Sequence, residues 1–119
     1  MSRPRCVLVG PPGAGKTTVG ALVAERLGVA FRDTDADVEA AAGKEIADIF
    51  YADGEEHFRA LELAAVAVAL AEHEGVLALG GGAVLAERLP LYREVAVYTV
   101  PTDNRTPADV AGDVLTALR

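Results

Sequence analysis

The residues with the clearest chemical meaning lie near the start of the chain, at positions 10–18, which read Gly-Pro-Pro-Gly-Ala-Gly-Lys-Thr-Thr. This stretch fits the P-loop pattern of a glycine, four variable residues, Gly-Lys and a serine or threonine. The backbone N–H groups of such a loop surround a phosphate, and the next helix directs its positive N-terminus at the same anion. The stretch therefore predicts a nucleoside triphosphate site. Its expected ATP-binding residues are Gly13, Ala14, Gly15, Lys16, Thr17 and Thr18.

Two residues of this loop have specific roles in phosphoryl transfer. Lys16 is expected to reach the β- and γ-phosphates, which makes it a catalytic candidate, and the Thr17 hydroxyl is expected to ligate Mg²⁺. An apolar run at 6–9 precedes the loop, and apolar residues at helical spacing follow it as far as Gly28. A glycine-rich turn without a ligand is the alternative, but a strand before the loop and a helix after it are the context that the motif needs.

Other candidate groups follow two further apolar runs. Asp33 and Asp35 come after the run at 29–31, and three glycines, Gly80, Gly81 and Gly82, come after the run at 76–79. In parallel α/β sheets, ligands bind where the strands end at their carboxyl edge. One aspartate could face the metal and the other a second substrate. The glycines either let a ligand approach the backbone closely or form a plain flexible turn.

The hydrophobic periodicity predicts the elements that position these groups. Strands are expected at 5–10, 29–31, 76–79 and 95–100, and helices at 15–27, 37–42, around 46–50, from about 54 to 74 and from Thr106 onwards. Strands alternating with helices predict an α/β fold in three layers, the P-loop NTPase fold, with a parallel sheet and helices on both faces.

Two helix starts follow from capping residues. Thr106, with Pro107 and a following aspartate, is expected to cap the last helix, and Asp53 with Glu56 is expected to cap the long one. Phe58, Leu61, Ala65, Val68 and Glu72 are expected to lie on one face of the long helix. Arg59 falls in the first turn of that helix, where a cation opposes the macrodipole. It is therefore either a solvated surface residue or one with another purpose.

Composition limits the classes of function. The 119 residues are 51% hydrophobic and 24% charged, as in a single globular domain spanning 1–119. A formal net charge of −7 disfavours binding to nucleic acid or to an anionic membrane. Cys6 is expected to be a buried, inert thiol, and both His57 and His73 to be solvated. The sequence contains no stretch typical of a signal peptide or a membrane span, so we expect a cytoplasmic protein.

Several of these motifs, in this order and spacing, resemble shikimate kinase. They are the P-loop, Asp33-Thr34-Asp35, residues 46–50, Phe58-Arg59, Gly80-Gly81-Gly82 and residues 88–93, so the resemblance runs along nearly the whole chain. It implies transfer of the ATP γ-phosphoryl group to the 3-hydroxyl of shikimate, a step of aromatic amino-acid biosynthesis. The implied partners are ATP and shikimate, with Mg²⁺ as the metal. We expect the protein to be a monomer.

On the acceptor side, the resemblance implies that Asp35 contacts the shikimate hydroxyls as the base or orienting acceptor. Arg59 and Arg88 resemble the arginines that hold the shikimate carboxylate, which a guanidinium matches bidentately. The glycine run resembles the segment whose backbone meets shikimate, with Gly81 as the position of the contacting N–H.

On the nucleotide side, Asp33 resembles the carboxylate that holds Mg²⁺ through water beside Thr17. Arg105 and Pro107 resemble residues that lie next to the adenine.

The chain departs from the family between Val84 and Arg88, where the resemblance implies roughly fifty further residues, including a strand and a mobile lid. The family's strand order, 2-3-1-4-5, would lose its fourth strand. The sequence then predicts a four-stranded sheet of order 2-3-1-5, in which residues 95–100 pair with the first strand. Two alternatives to a shikimate kinase remain: a lidless ATP-binding remnant with little or no turnover, and another small-molecule P-loop kinase of the gluconate type.

Overall fold

The computed structural model describes residues 4–10, 15–80, 95–100 and 105–118. The strands are β1 (Cys6–Val9), β2 (Phe31–Asp33), β3 (Val76–Ala78) and β4 (Val97–Thr99). The helices are α1 (Lys16–Leu27), α2 (Thr34–Ala42), α3 (Ile46–Asp53), α4 (Glu55–Glu72) and α5 (Pro107–Ala117). None of the helices in these ranges is long and apolar enough to cross a membrane.

The four strands form one parallel sheet in the order β2-β3-β1-β4. The predicted order 2-3-1-5 is confirmed. In the numbering of the shikimate kinase family, which has one strand more, β4 of this chain is the fifth strand. It pairs directly with β1, where Val7 N donates to Ala96 O at 2.8 Å and Val100 N donates to Val9 O at 2.7 Å. The pairing of β1 on both sides satisfies its backbone groups, which explains why this apolar strand lies at the centre of the sheet.

Both faces of the sheet are covered, as the three-layer prediction requires. Side chains alternate along β1, so Cys6 and Leu8 pack with α1 and α5, while Val7 packs with α4. A third cluster, formed by Val38, Ile49 and Phe58, joins α2, α3 and α4 beyond the edge of the sheet. The start of α5 is as predicted, since the Thr106 side chain accepts a hydrogen bond from Asp109 N at 3.2 Å.

The predicted start of the long helix is wrong by one residue, and the capping role of Asp53 is wrong. Asp53 is the last residue of α3, and Gly54, with φ 87°, stands at the N-cap of α4 without a side-chain cap. The Asp53 carboxylate instead pairs with Lys44 Nζ at 2.7 Å. Its pKa is lowered, chiefly by this hydrogen bond. Lys44, just before the start of α3, therefore binds the carboxylate that the sequence pattern predicted as the N-cap of α4.

The buried face of α4 is also different from the predicted one. Val68 is 47% exposed, whereas Glu62 is buried. The alanine-rich sequence of α4 gives little contrast between its faces, so the apolar spacing did not settle the rotation of the helix.

His73 is not a solvated residue as predicted. Its Nε2 lies 3.0 Å from Val76 O and 3.3 Å from Ala30 O. Both neighbours are carbonyl acceptors, so this ring nitrogen carries the proton and donates to them. His73 thus ties the end of α4 to the starts of β2 and β3, at the edge of the sheet opposite the P-loop.

Two helical glycines give a matched pair of stability predictions. A Cβ at Gly20 would lie 2.2 Å from Phe31 Cε1, whereas a Cβ at Gly112 would meet nothing within 4 Å. We expect Gly20→Ala to lower the free energy of unfolding by about 1–3 kcal/mol through overpacking. Gly112→Ala should raise it by about 0.5–1 kcal/mol, because alanine is the better helix former. Urea unfolding measures both, and equal effects would contradict the packing of α1 on β2.

Candidate active site

The candidate groups meet at the carboxyl edge of the sheet. Gly10 follows β1, Asp33 ends β2, and Gly80 lies two residues beyond β3. The first helix begins at Lys16 and the second at Thr34, so both N-termini lie at the same edge. This edge therefore combines two positive helix ends with a cation and several carboxylates.

Lys16 lies over the end of the central strand. Its Nζ donates to Gly10 O at 2.7 Å, and Gly15 before it has the left-handed φ of 85° that favours glycine. Gly10 must also be small, because a Cβ there would lie 2.9 Å from Val100 O at the end of β4. The direct β1–β4 pairing thus brings a second backbone segment against the start of the loop.

Asp33 connects the loop side of the site to α2. Its Oδ2 accepts a hydrogen bond from Thr17 Oγ1 at 3.2 Å, and its Oδ1 accepts one from Asp35 N at 2.9 Å. A hydroxyl oxygen beside a carboxylate oxygen is a donor set that suits Mg²⁺, which prefers oxygen ligands and keeps several waters. The described part of the chain contains no cluster of three or more aspartate, glutamate, histidine or cysteine side chains that could hold a metal ion.

Asp35 lies in the first turn of α2 and is half-buried. The two aspartates lie in different elements, because β2 ends at Asp33 and α2 begins at the next residue. Burial raises the pKa of the Asp35 carboxyl above its ordinary value of 3.8, and nearby Asp33 and Glu62 raise it further. Lys16 opposes these effects, and Glu39 adds a smaller one. A carboxylate with a raised pKa is a suitable proton acceptor.

Gly80 packs directly against Asp35. A Cβ at this position would lie 2.0 Å from Asp35 Oδ1 and 2.7 Å from its Cγ. The close neighbour of the Gly80 backbone is thus the carboxylate of Asp35, and the approach of a ligand to the glycine run stays a prediction. Any larger residue at position 80 would displace the carboxylate.

Arg59 is held by a residue that the sequence interpretation missed. Its Nη1 donates to Glu62 Oε1 at 2.8 Å, and its Nε lies 3.7 Å from Glu55 Oε1. The pKa of its guanidinium is raised, chiefly by the Glu62 hydrogen bond. Glu62 is buried, and no group in the described ranges bonds its Oε2. Arg59 is the fifth residue of α4 and does not lie in its first turn as predicted, so the cost of opposing the helix dipole is smaller than expected. Its pairs with Glu55 and Glu62 on the same helix reduce that cost further.

The last helix starts at the same edge. Because β4 is parallel to β1, Arg105 and Pro107 follow its carboxyl end, and α5 then packs along α1. Arg105 pairs with Asp113 of α5. Of the other predicted site residues, Thr18 is exposed at the start of α1. Five of them lie outside the described residues: Gly13, Ala14, Gly81, Gly82 and Arg88.

Comparison with known proteins gives the family of this chain. The shikimate kinase family model matches residues 12–89. A shikimate kinase of Saccharopolyspora erythraea is 73% identical over 85 residues, which cover 71% of this chain and 49% of that relative. This match thus spans about half the length of that relative. A shikimate kinase of Salinispora arenicola is 47% identical over 163 positions, which cover 97% of this chain and 98% of that relative.

The longer alignment contains positions that this chain does not fill. Because the chain has 119 residues and the alignment 163 positions, at least 44 positions face no residue of this chain. This relative therefore has residues without a counterpart here, in a number close to the one that the resemblance implied.

Solved structures give the same family. The shikimate kinase of Acinetobacter baumannii in complex with shikimate has a TM-score of 0.79 and 30% identity, covering 99% of this chain and 93% of that chain. A gluconokinase of Sinorhizobium meliloti has a TM-score of 0.55 and 20% identity, covering 95% of this chain and 90% of that chain, and shows a shared fold alone. The family model and the near-full-length relative together establish that this chain belongs to the shikimate kinase family.

Proposed function

We propose that this chain transfers the γ-phosphoryl group of ATP to the 3-hydroxyl of shikimate. The observation that carries the proposal is the meeting of Lys16, Asp33 and Asp35 at one edge of the sheet. One cation, one carboxylate beside a hydroxyl, and one carboxylate with a raised pKa are the groups that phosphoryl transfer to an alcohol needs. Membership of the shikimate kinase family supports shikimate as the acceptor over gluconate.

In the proposed mechanism, Lys16 leaves the Gly10 carbonyl and binds the β- and γ-phosphates. Thr17 and Asp33 would hold Mg²⁺, which supplies charge neutralisation at the phosphates. Asp35 accepts the proton of the 3-hydroxyl while the hydroxyl oxygen bonds to the γ-phosphorus of ATP. The bond between that phosphorus and the oxygen that bridges it to the β-phosphate breaks, and ADP leaves.

For the acceptor carboxylate we propose Arg59 as an anchor. Its contacts with Glu62 and Glu55 use Nη1 and Nε, and its guanidinium carbon lies 5.4 Å from the centre of the Phe58 ring. The proposal assigns the remaining nitrogen, Nη2, to the carboxylate of shikimate. Since the guanidinium is already held in place, little side-chain entropy is lost when the acid binds. Gly80, together with Gly81, Gly82 and Arg88, completes the proposed acceptor site.

The proposed nucleotide site consists of the P-loop with Thr18, and of Arg105 and Pro107 near the adenine. We further propose that the protein is a monomer and works in the cytoplasm, where ATP is available.

A product assay tests the function. With ATP and Mg²⁺ we expect ³¹P NMR to show a shikimate monophosphate, formed at least about tenfold faster than free phosphate is released without an acceptor. Gluconate should not raise the rate. ATP binding without any shikimate phosphate would instead identify the chain as an ATP-binding remnant, an outcome that the gap of at least 44 positions makes worth testing.

The anchor role of Arg59 predicts a specific kinetic defect. Arg59→Lys keeps a cation near Glu62 but has one ammonium group in place of several separate nitrogens, so it cannot hold Glu62 and the shikimate carboxylate in the same geometry. We therefore expect the KM for shikimate to rise by about 10- to 100-fold. The affinity for ATP should stay within about twofold, because Arg59 lies on the acceptor side of the proposed site. Steady-state kinetics with each substrate varied in turn gives both values.

The control is Arg26→Lys at an exposed arginine in the last turn of α1. If Arg59→Lys lowers the melting temperature but leaves the KM for shikimate unchanged, Arg59 serves only to neutralise the buried Glu62.

A further inference from the structure

Thr34 joins the ends of two strands at the candidate active site. Its side chain is fully buried, and its hydroxyl donates to Ala78 O at 3.4 Å and accepts from Gly80 N at 3.3 Å. Thr34 is the first residue of α2, directly after β2, whereas Ala78 is the last residue of β3. One buried hydroxyl therefore links the start of α2 to the backbone on both sides of Leu79.

The hydrogen bond from Gly80 N to Thr34 holds the backbone of Gly80, and the position of that backbone affects Asp35. Asp35 follows Thr34 in α2, and its Oδ1 would lie 2.0 Å from a Cβ at Gly80. The backbone of Gly80 thus packs directly against the carboxylate of Asp35. A shift of that backbone would change both the orientation and the solvation of Asp35.

We propose that Thr34 is a positioning residue, whose hydroxyl holds the Gly80 backbone against the carboxylate of Asp35 and thereby sets the geometry of the acceptor side. The proposal rests on the proposed function only for the identity of the acceptor, shikimate. Thr34 has no exposed surface, so its effect passes through Gly80 and Asp35.

The two backbone groups that the Thr34 hydroxyl bonds support its role in positioning Gly80. Without it, Ala78 O and Gly80 N would be buried polar groups that have lost a hydrogen-bond partner, which proteins avoid. The hydroxyl can donate and accept at the same time, which valine of similar shape cannot do.

Three substitutions isolate the hydroxyl. Thr34→Val removes it and keeps the branched shape, and Thr34→Ser keeps it and removes the methyl group. Thr34→Ala serves if the valine variant does not fold, because alanine and serine at this position differ only in the hydroxyl. The control is Thr116→Val in α5, where the lost hydroxyl donates to Gly112 O at 3.0 Å on an exposed turn.

The first measurement is hydrogen exchange at the Gly80 amide, followed by NMR. We expect exchange to become about tenfold faster in Thr34→Val, because the amide loses its acceptor, and to stay near the parent rate in Thr34→Ser. This readout requires no substrate. Equal exchange rates in the valine or alanine variant and in the parent would overturn the proposal.

The second measurement is the kinetics of each substrate. Thr34→Val should raise the KM for shikimate by about three- to tenfold, with the ATP affinity within about twofold, and Thr34→Ser should restore the parent value. A rise in both constants, or a shikimate KM equal to that of Thr116→Val, would overturn the positioning role. If the parent protein neither binds nor phosphorylates shikimate, the proposed function fails, and the exchange rate of Gly80 then decides alone on the Thr34 link.

Discussion

Lys16→Ala is expected to weaken the binding of ATP·Mg²⁺ by about 10²-fold or more, which corresponds to the loss of one desolvated charge contact with the phosphates. Lys16 lies at the junction of the loop and α1, where it is half-buried and does not belong to the buried core. The substitution should therefore leave the fold intact. Calorimetric titration measures the affinity, and the melting temperature without nucleotide reports on the fold.

The matched control is Lys44→Ala, since the ammonium group of Lys44 pairs with Asp53 at 2.7 Å on α3. This variant loses one positive charge without losing the proposed phosphate contact. ATP should raise the melting temperature of the parent and of Lys44→Ala, but raise that of Lys16→Ala much less, because stabilisation by a ligand depends on its affinity. Equal ATP affinities in the two variants would contradict the P-loop assignment.

The elements around the P-loop motif could be predicted because the motif is local. The strand before it and the helix after it lie within residues 6–27, and each has its own signal in the sequence. The order of the strands could also be predicted, since a missing strand leaves the backbone of β1 unpaired and only 95–100 is free to replace it. The direct β1–β4 hydrogen bonds confirm this reasoning.

The acceptor side was harder because its geometry depends on where α2 begins. Hydrophobicity placed the second strand at 29–31, but the register pairs Phe31 with Val76 and Asp33 with Ala78. The bounds of β2 are therefore determined by its pairing with β3. β2 is the edge strand of the sheet, and its side chains are only half-buried, so hydrophobicity alone does not locate it. Asp33 then caps α2 itself, and neither this cap nor the link through Thr34 gives a signal in the apolar pattern.

Glu62 was missed because a glutamate is expected to face water. A signal was nevertheless present, since Arg59 and Glu62 are three residues apart on a helix, the spacing at which opposite charges meet. This pair lies beside Asp35, whose pKa Glu62 helps to raise. Local signals in the sequence thus point to the residues proposed to act on substrates more clearly than to Glu62 and Thr34, which contact those residues or their neighbours.

The effect of Asp35 on stability should have the opposite sign to its effect on activity. Its pKa is raised in the folded protein, so the fold binds this proton more tightly than the unfolded chain does. That stabilisation is fully present below the ordinary pKa of 3.8 and is lost as the pH rises through the higher pKa of the folded state. At neutral pH the ionised carboxylate therefore costs stability, because it is partly desolvated and lies near Asp33 and Glu62.

Asp35→Asn keeps the shape of the side chain and removes its charge. We expect turnover with shikimate to fall by about 10²- to 10⁴-fold, the range for loss of a general base. We expect the ATP affinity to change little and the melting temperature at pH 7 to rise. The gain in melting temperature should shrink as the pH is lowered through the raised pKa of the folded state, because the parent carboxyl then takes up its proton. Steady-state kinetics and thermal unfolding at several pH values provide these measurements.

Asp37→Asn on the same helix is the matched control. The Asp37 carboxylate accepts a hydrogen bond from Arg32 Nε at 2.8 Å, so its loss should lower stability slightly, by about 0–1 kcal/mol, and leave turnover near the parent value. The two aspartates of α2 should thus respond in opposite directions, one losing activity and gaining stability, the other losing only stability. If Asp35→Asn reduces ATP affinity as strongly as turnover, Asp35 belongs to the metal site. If it lowers the melting temperature instead, the Asp35 carboxylate stabilises the fold and its raised pKa has no catalytic meaning.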